Sequence, residues 1–100
     1  SMKLGNRILG PATCVLSESE VMAGIIELSS LVVPEYHRKK GAANKLMDAI
    51  CEEADKVQKV LLLKPADDDW LVKWYASHGF RVIQNSPVLM ARPPYKQTDY

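Results

Sequence analysis

The feature that most constrains the fold is a strand, a helix and a second strand in the middle of the chain. Residues Ile25–Val33 are rich in Ile, Leu and Val and are stopped by Pro34, which is typical of a strand. From Gly41 to about Val57, apolar residues recur every three or four positions, which predicts one buried face of an α-helix. Lys59–Lys64 predicts a short buried strand. Such a unit requires a parallel crossover, which should be right-handed.

A short strand is also predicted before this unit. Ala12–Leu16 follows the Gly10-Pro11 turn signal and precedes a polar turn at Ser17–Glu20. Met2–Arg7 is only weakly patterned, so we expect the sheet to begin near Ala12.

A second helix and two further strands are predicted after the unit. Asp67–Asp69 suits the start of a helix that runs to His78, and Gly79 suits a left-handed stop. Phe80–Ile83 and Val88–Ala91 predict strands on either side of a turn. The predicted fold is therefore α/β (α+β), with a mixed, mostly antiparallel sheet and one central parallel β-α-β crossover.

The composition limits both size and partners. One hundred residues suit one domain, and we expect residues 1–93 to form it, followed by a loose C-terminal tail at 94–100. A formal net charge of +1 argues against a nucleic-acid or membrane partner. No apolar run approaches the roughly 20 residues that span a bilayer, and no signal peptide is recognised. Cys14 and Cys51 are too few for a disulfide framework or zinc site, so we expect a reducing, cytoplasmic setting and no metal.

The loop before the first predicted helix indicates an anion-binding site. A basic run, Arg38-Lys39-Lys40, leads into a small-residue step, Gly41-Ala42-Ala43. A helix start leaves about four N–H groups unpaired and carries about half a positive charge, and small residues let an anion approach closely. The same pattern also fits an ordinary loop with a solvated basic edge, and composition alone leaves both interpretations open.

The Arg38–Ala43 segment resembles motif A of the GNAT superfamily of N-acyltransferases, which reads Gln or Arg, two residues, Gly, one residue, then Gly or Ala. Leu31–Tyr36 is similar to the strand lead-in of that motif, displaced by one residue. The resemblance implies that the turn amides hold the pyrophosphate of acetyl-CoA or another acyl-CoA, and that the preceding strand pairs with the pantetheine arm. The cofactor-binding residues that it implies are Leu31, Val32, Val33, Arg38, Lys39, Lys40, Gly41, Ala42 and Ala43.

Tyr75–Phe80 resembles the Y-x-x-x-G-F ending of GNAT motif B. In that family the tyrosine lies near the CoA sulfur and protonates the departing thiolate, so the resemblance implies Tyr75 as general acid. A core aromatic beside the two tryptophans is the alternative interpretation of Tyr75. Family members often carry Asn seven residues earlier, but this chain has Asp68, which cannot donate a hydrogen bond when ionised. That amide contact is therefore not carried over.

Glu27 is the candidate general base. It lies eleven residues before Arg38, the same offset as the glutamate base in the histone-acetylating branch of the superfamily. The alternatives are proton transfer to water and an outward-facing strand carboxylate without a catalytic role. His37 and His78 lack partners at metal-ligand spacing and are expected at the surface, and Cys51 is expected on a helix flank or in the core.

The resemblance thus implies an N-acetyltransferase that moves an acetyl or other acyl group from acyl-CoA to a primary amine on a small molecule or polypeptide. The alternative is a non-catalytic or degenerate CoA-binding domain that acts through protein contacts. A P-loop nucleotide site is disfavoured because the turn lacks its Gly-Lys-Ser/Thr ending. The resemblance covers about Ile25–Arg92. It therefore implies a short member of the superfamily whose N-terminal half is reduced. The sheet face that this leaves uncovered predicts a homodimer.

Overall fold

The computed structural model describes residues 2–33 and 41–96, which form one six-stranded sheet and two helices. In chain order, the elements are β1 (Gly5–Leu9), β2 (Ala12–Glu18), β3 (Ile25–Val32), α1 (Ala42–Val57), β4 (Val60–Leu63), α2 (Asp69–Ser77), β5 (Arg81–Asn85) and β6 (Val88–Arg92). The strand order is β1-β2-β3-β4-β6-β5, with β3 and β4 parallel and the other pairs antiparallel. The predicted mixed sheet and central crossover are confirmed. Within these ranges, neither helix is long and apolar enough to cross a membrane.

The N-terminal edge of the sheet differs from the prediction. β1 pairs with β2, so the sheet begins at Gly5 rather than near Ala12. The strand has little apolar alternation because Arg7 occupies a helix-facing position, opposite the buried Cys14. Its guanidinium donates to both carboxylate oxygens of Glu53 on α1, with one N···O distance of 3.0 Å. An ion pair therefore holds β1 against α1. An apolar residue at this position would have given the strand a recognisable alternating pattern in the sequence.

The ends of α2 follow the predicted local chemistry. Asp68 is the N-cap, and its carboxylate accepts a hydrogen bond from the Trp70 N–H at 3.1 Å. Gly79 follows the helix with φ of 93°, a left-handed conformation that glycine adopts at little cost. The polar turn predicted at Ser17–Glu20 is shorter than expected, because β2 continues through Glu18.

Both helices cover the same face of the sheet. The β3-α1-β4 and β4-α2-β5 connections cross the sheet in the same direction, and right-handed connections then place both helices on one side. The core fills the space between this face and the helices, and its largest fully buried side chains are Phe80, Leu16, Leu46, Met47, Ile50, Leu61 and Met90. The other side, here called the outer face, carries apolar side chains outside that core: Val15, Ile25, Val60, Leu62, Leu89 and Ala91. Neither described helix covers the outer face.

A partly buried ion pair ties β6 to α1. The Arg92 guanidinium donates to the two Asp55 carboxylate oxygens at 2.7 and 3.1 Å and to the His78 carbonyl at 2.8 Å. Hydrogen bonds from Arg92 hold the pKa of Asp55 below its ordinary value. The Tyr95 N–H also donates to Asp55, at 2.8 Å, which anchors the chain beyond β6. The division into a domain at 1–93 and a tail at 94–100 stays a prediction.

Candidate active site

A groove of about 500 Å³ lies where the end of β3 approaches the start of α1 and the first turns of α2. Five of the predicted cofactor-binding residues line it: Leu31, Val32, Val33, Gly41 and Ala43. Ala42, the first residue of α1, is buried in the core beside them. The predicted basic residues Arg38, Lys39 and Lys40 lie outside the described residues. The structure thus brings two separate parts of the sequence motif, the strand end and the helix start, to one groove.

The start of α1 has the properties of an anion-binding turn. Gly41 adopts a left-handed conformation with φ of 77°, and no described side chain caps the helix there. The first N–H groups of a helix have no intrahelical partner and carry the positive end of its dipole. A β-carbon placed on Gly41 would meet no described atom within 4 Å, so no residue of 2–33 or 42–96 fills the space above the turn. Open space and unpaired donors together fit the phosphate groups of a CoA molecule.

A second cavity, of about 380 Å³, opens where β3 and β4 separate. The two strands pair from Ile25 and Val60 to Glu27 and Leu62, and the cavity begins beyond the last pair. Its lining comes from both strands and from α2: Leu28, Ser29, Ser30, Leu31, Leu63, Lys64, Pro65, Ala66, Leu71 and Tyr75. Leu31 and Leu71 also line the larger groove, so the two spaces adjoin.

β3 carries a bulge where it borders this second cavity. The register between β2 and β3 shifts because Thr13 faces Val32 whereas Val15 faces Ser29, which adds one residue to β3. Ser30, within the added stretch, has φ of 54°, a left-handed conformation that is uncommon outside glycine. Bulges bend a strand and re-aim its groups, and they are frequent beside active sites. The Ser29-Ser30 pair inside an apolar strand was the only sequence signal of this feature.

Tyr75 lies in α2 between the core and the second cavity. Its side chain is 6% exposed, and its ring makes edge contacts with Trp74 and Phe80 at centroid distances of 5.1 and 5.6 Å. It is therefore part of the core cluster and also lines the second cavity. Burial raises the pKa of Tyr75, and the nearby Cys14 adds to the effect. The phenol is thus protonated at neutral pH, the form that a general acid requires.

Glu27 lies on the outer face at the point where β3 and β4 separate. Its neighbours Ile26 and Leu28 are buried under the helices, and side chains alternate along a strand, so Glu27 points the opposite way. Its carboxylate makes no hydrogen bond or ion pair with the described part of the chain. Glu27 and Tyr75 therefore border the strand separation from opposite sides of the sheet.

His78 is not the surface residue that the sequence predicted. Its side chain is 11% exposed, with Nε2 3.0 Å from Asn44 Oδ1 and Nδ1 3.3 Å from Asp48 Oδ1. Its ring also meets the Trp74 ring at 4.8 Å. Burial lowers the pKa of His78, and Arg92 lowers it further, whereas Asp48 raises it. The surface prediction failed because a helix end that faces another helix is indistinguishable in sequence from one that faces water.

The remaining candidates give no sign of metal or nucleophile chemistry in the described residues. His37 lies outside them, and no three acidic, histidine or cysteine side chains within 2–33 and 41–96 converge on one point. Cys51 lies in the core, where burial raises the pKa of its thiol to about 11. A thiol with that pKa is almost entirely protonated at neutral pH and is a poor nucleophile.

Sequence reasoning missed several residues of the larger groove. Asn44, Trp70, Leu71 and Trp74 all line it, together with the capping residue Asp68. Asn44 directly follows the small-residue step, and Trp74 directly precedes the motif tyrosine. Their nearness to the two motifs was the only indication in the sequence that they line the groove. Their side-chain contacts depend on the packing of α1 against α2, which no local pattern specifies.

A family model for the acetyltransferase (GNAT) domain matches residues 2–82. With its helix-start groove and its separated parallel strands, this chain belongs to the GNAT acetyltransferase domain family. No curated protein sequence gives a significant match.

Several solved structures share the fold. A GNAT-family acetyltransferase from Staphylococcus aureus has a TM-score of 0.68 at 17% identity, with 85% of this chain and 60% of that chain covered. The ribosomal-protein-S18-alanine N-acetyltransferase from Escherichia coli has a TM-score of 0.71 at 17% identity, with 89% and 64% covered. The anti-CRISPR protein AcrVA5 has a TM-score of 0.68 at 20% identity, with 86% and 94% covered. This chain thus spans less than two thirds of the first two proteins but nearly all of the third.

Proposed function

We propose that this chain is an acyl-CoA-dependent N-acyltransferase that moves an acetyl or other acyl group directly to a primary amine. The observation that carries the proposal is the continuity of the two cavities. The larger groove begins at the unpaired N–H groups after Gly41 and adjoins, through Leu31 and Leu71, the cavity lined by Tyr75. A long ligand with phosphates at one end and a reactive group at the other fits that arrangement. The acceptor is a small molecule or a polypeptide, and the cytoplasm is the expected compartment.

Each step of the proposed transfer is assigned to a group on this chain. Acyl-CoA supplies the thioester whose acyl group is transferred. Backbone N–H groups at the Leu31–Val32 end of β3 polarise the thioester carbonyl, as fixed donors do in other acyl transfers. The Tyr75 phenol gives its proton to the departing thiolate. Glu27, or water, takes the proton that the amine loses from the opposite side of the sheet.

The cofactor site is tested by a change in the backbone of the turn. Gly41→Val is expected to weaken CoA binding strongly, because valine at positive φ costs on the order of 1–3 kcal/mol and displaces the turn amides. Isothermal titration of CoA into the full chain measures this. The matched control is Gly24→Val, because Gly24 also has positive φ (86°) with open space around it but does not line the groove. Equal CoA affinity in the wild type and a folded Gly41→Val variant would remove the turn from the site.

A second candidate is a non-catalytic CoA-binding domain that acts through protein contacts. The outer face favours it, because its apolar side chains are only half-buried and no described helix covers them, and contiguous apolar surface marks interaction sites. Turnover of acetyl-CoA with a panel of amines separates the two functions. CoA binding without transfer to any amine, including lysine-containing polypeptides, would support the second.

We also propose that the outer face joins two copies of this chain, since symmetric dimers are the commonest soluble oligomers. Light scattering is expected to give a dimer mass at micromolar concentration. Leu62→Lys, which places a charge near the middle of the outer face, should shift the mass toward the monomer. Val21→Lys is the control, because Val21 is 90% exposed but lies in the loop between β2 and β3. A wild-type monomer at every concentration tested would rule out this dimer.

A further inference from the structure

Lys64 brings a primary amine to the second cavity. It directly follows β4 and is an exposed member of that cavity's lining, to which Tyr75 also belongs. The other lysines within 2–33 and 41–96 line neither the second cavity nor the larger groove. Lys64 is also the only charged residue among those that line the second cavity. The chain thus places one of its own amines in the cavity to which the proposed mechanism assigns the thioester.

The end of β4 directs Lys64 to the same side of the sheet as Glu27. Leu61 and Leu63 are buried under the helices, so Leu62 between them points to the outer face, where it pairs with Glu27 in parallel register. Lys64 comes two residues after Leu62, and its exposure agrees with the same alternation. Neighbouring strands lie about 4.8 Å apart and rise about 3.3 Å per residue, so Lys64 starts one strand spacing across and two residues along from the candidate base. The amine and the candidate base therefore border the strand separation from the same side.

No carboxylate in the described part of the chain holds the Lys64 ammonium group away from the cavity. Lys56, by contrast, lies 3.6 Å from Glu52, whereas Lys64 makes no ion pair with any residue of 2–33 or 41–96. A lysine side chain is a flexible four-carbon stem that carries a compact charge. An amine tethered beside a bound reactant has an effective concentration of about a millimolar or more, without any further binding step. Lys64 is therefore favoured over amines that must reach the thioester from solution.

We propose that Lys64 is a self-acylation site, at which the chain transfers the acyl group of a bound acyl-CoA to its own amine. This rests on the proposed function, because the thioester and the proton-transfer groups are those of the same site. The Lys64 nitrogen attacks the thioester carbon, the C–N bond forms and the C–S bond breaks. The ammonium nitrogen gives up two protons in all: one replaces the proton that Tyr75 gives to the sulfur, and the other passes to solvent through Glu27 or water. The products are an amide at Lys64 and free CoA.

The test follows the acetylation of the full chain in acetyl-CoA, without an added amine, by mass spectrometry of its peptides. Lys64 should be acetylated about 10²-fold or more faster than Lys73, because general acid catalysis contributes about 10²- to 10⁴-fold and acts only in the cavity. Lys73 is the matched control, an exposed lysine on α2 that lines neither cavity and reports direct reaction with acetyl-CoA from solution. Equal rates at the two lysines would overturn the inference.

Two further measurements show whether the acetyl group reaches Lys64 from the bound ligand of the same chain. Desulfo-CoA, which has no thiol and carries no acyl group, should slow the acetylation of Lys64 by competing for the site and leave that of Lys73 unchanged. The first-order rate at Lys64 should be independent of protein concentration, as transfer within one chain requires. A rate at Lys64 that desulfo-CoA does not change, or that rises with protein concentration, would overturn the inference.

Failure of the proposed function gives a different result from failure of this inference. Acetylation of added amines by a chain whose Lys64 stays unmodified would overturn the inference alone. Absence of transfer both to a panel of added amines and to Lys64 would overturn the proposed function itself.

Discussion

Tyr75→Phe is expected to lower kcat by about 10²- to 10⁴-fold, the usual contribution of general acid catalysis, while CoA affinity stays nearly the same. Phenylalanine keeps the ring that packs against Trp74 and Phe80 and removes only the hydroxyl. The variant therefore lacks the phenol proton that the proposed mechanism gives to the leaving thiolate. Steady-state kinetics with acetyl-CoA and an active amine measure kcat, and calorimetric titration with CoA measures the affinity.

The matched control is Tyr95→Phe, because Tyr95 is 70% exposed and does not line either cavity. It should leave kcat unchanged. The burial that raises the pKa of Tyr75 keeps the phenol protonated through the neutral range, so the defect of Tyr75→Phe should persist across that range. Full activity in Tyr75→Phe would assign Tyr75 to core packing alone.

The central unit of the fold was predictable because its signals are local and strong. The apolar face of α1, the short apolar run of β4, and the start and end of α2 at Asp68 and Gly79 each follow from neighbouring residues. The position of the larger groove follows from the same kind of signal, since β3 and α1, which border it, are consecutive elements of the chain, and its role as the cofactor site stays a prediction. Right-handed crossovers then determined which face the helices cover.

The features that sequence did not predict depend on contacts between distant residues. β1 packs against α1 through the ion pair between Arg7 and Glu53. Because a charged residue occupies a helix-facing position, the strand lacks the alternation of apolar and polar residues by which strands are predicted. The bulge at Ser30 exists only relative to the register of β2. The burial of His78 arises from the approach of α2 to α1. Of these features, the bulge at Ser30 borders the second cavity, and functional sites are where local rules and tertiary demands often diverge.

In the proposed mechanism, Glu27 and Tyr75 serve different atoms, because the acid acts on the sulfur and the base acts on the amine. The two residues border the strand separation from opposite sides, and β3 and β4 are no longer paired beyond Glu27 and Leu62. The gap between the strands is therefore the place where both groups reach one thioester carbon.

Glu27→Gln is therefore expected to lower kcat/KM for the amine by about 10²- to 10⁴-fold if the carboxylate is the base, because glutamine fills the same space but accepts no proton. CoA affinity measured by calorimetry should not change. Glu18→Gln is the control, since Glu18 is an exposed carboxylate on the neighbouring strand and lines neither cavity. A kcat/KM for the amine that is the same in Glu27→Gln and the wild type would assign the proton to water. In that case Glu27 is an outward-facing strand residue, and Tyr75 remains the only side chain proposed to act in the chemical step.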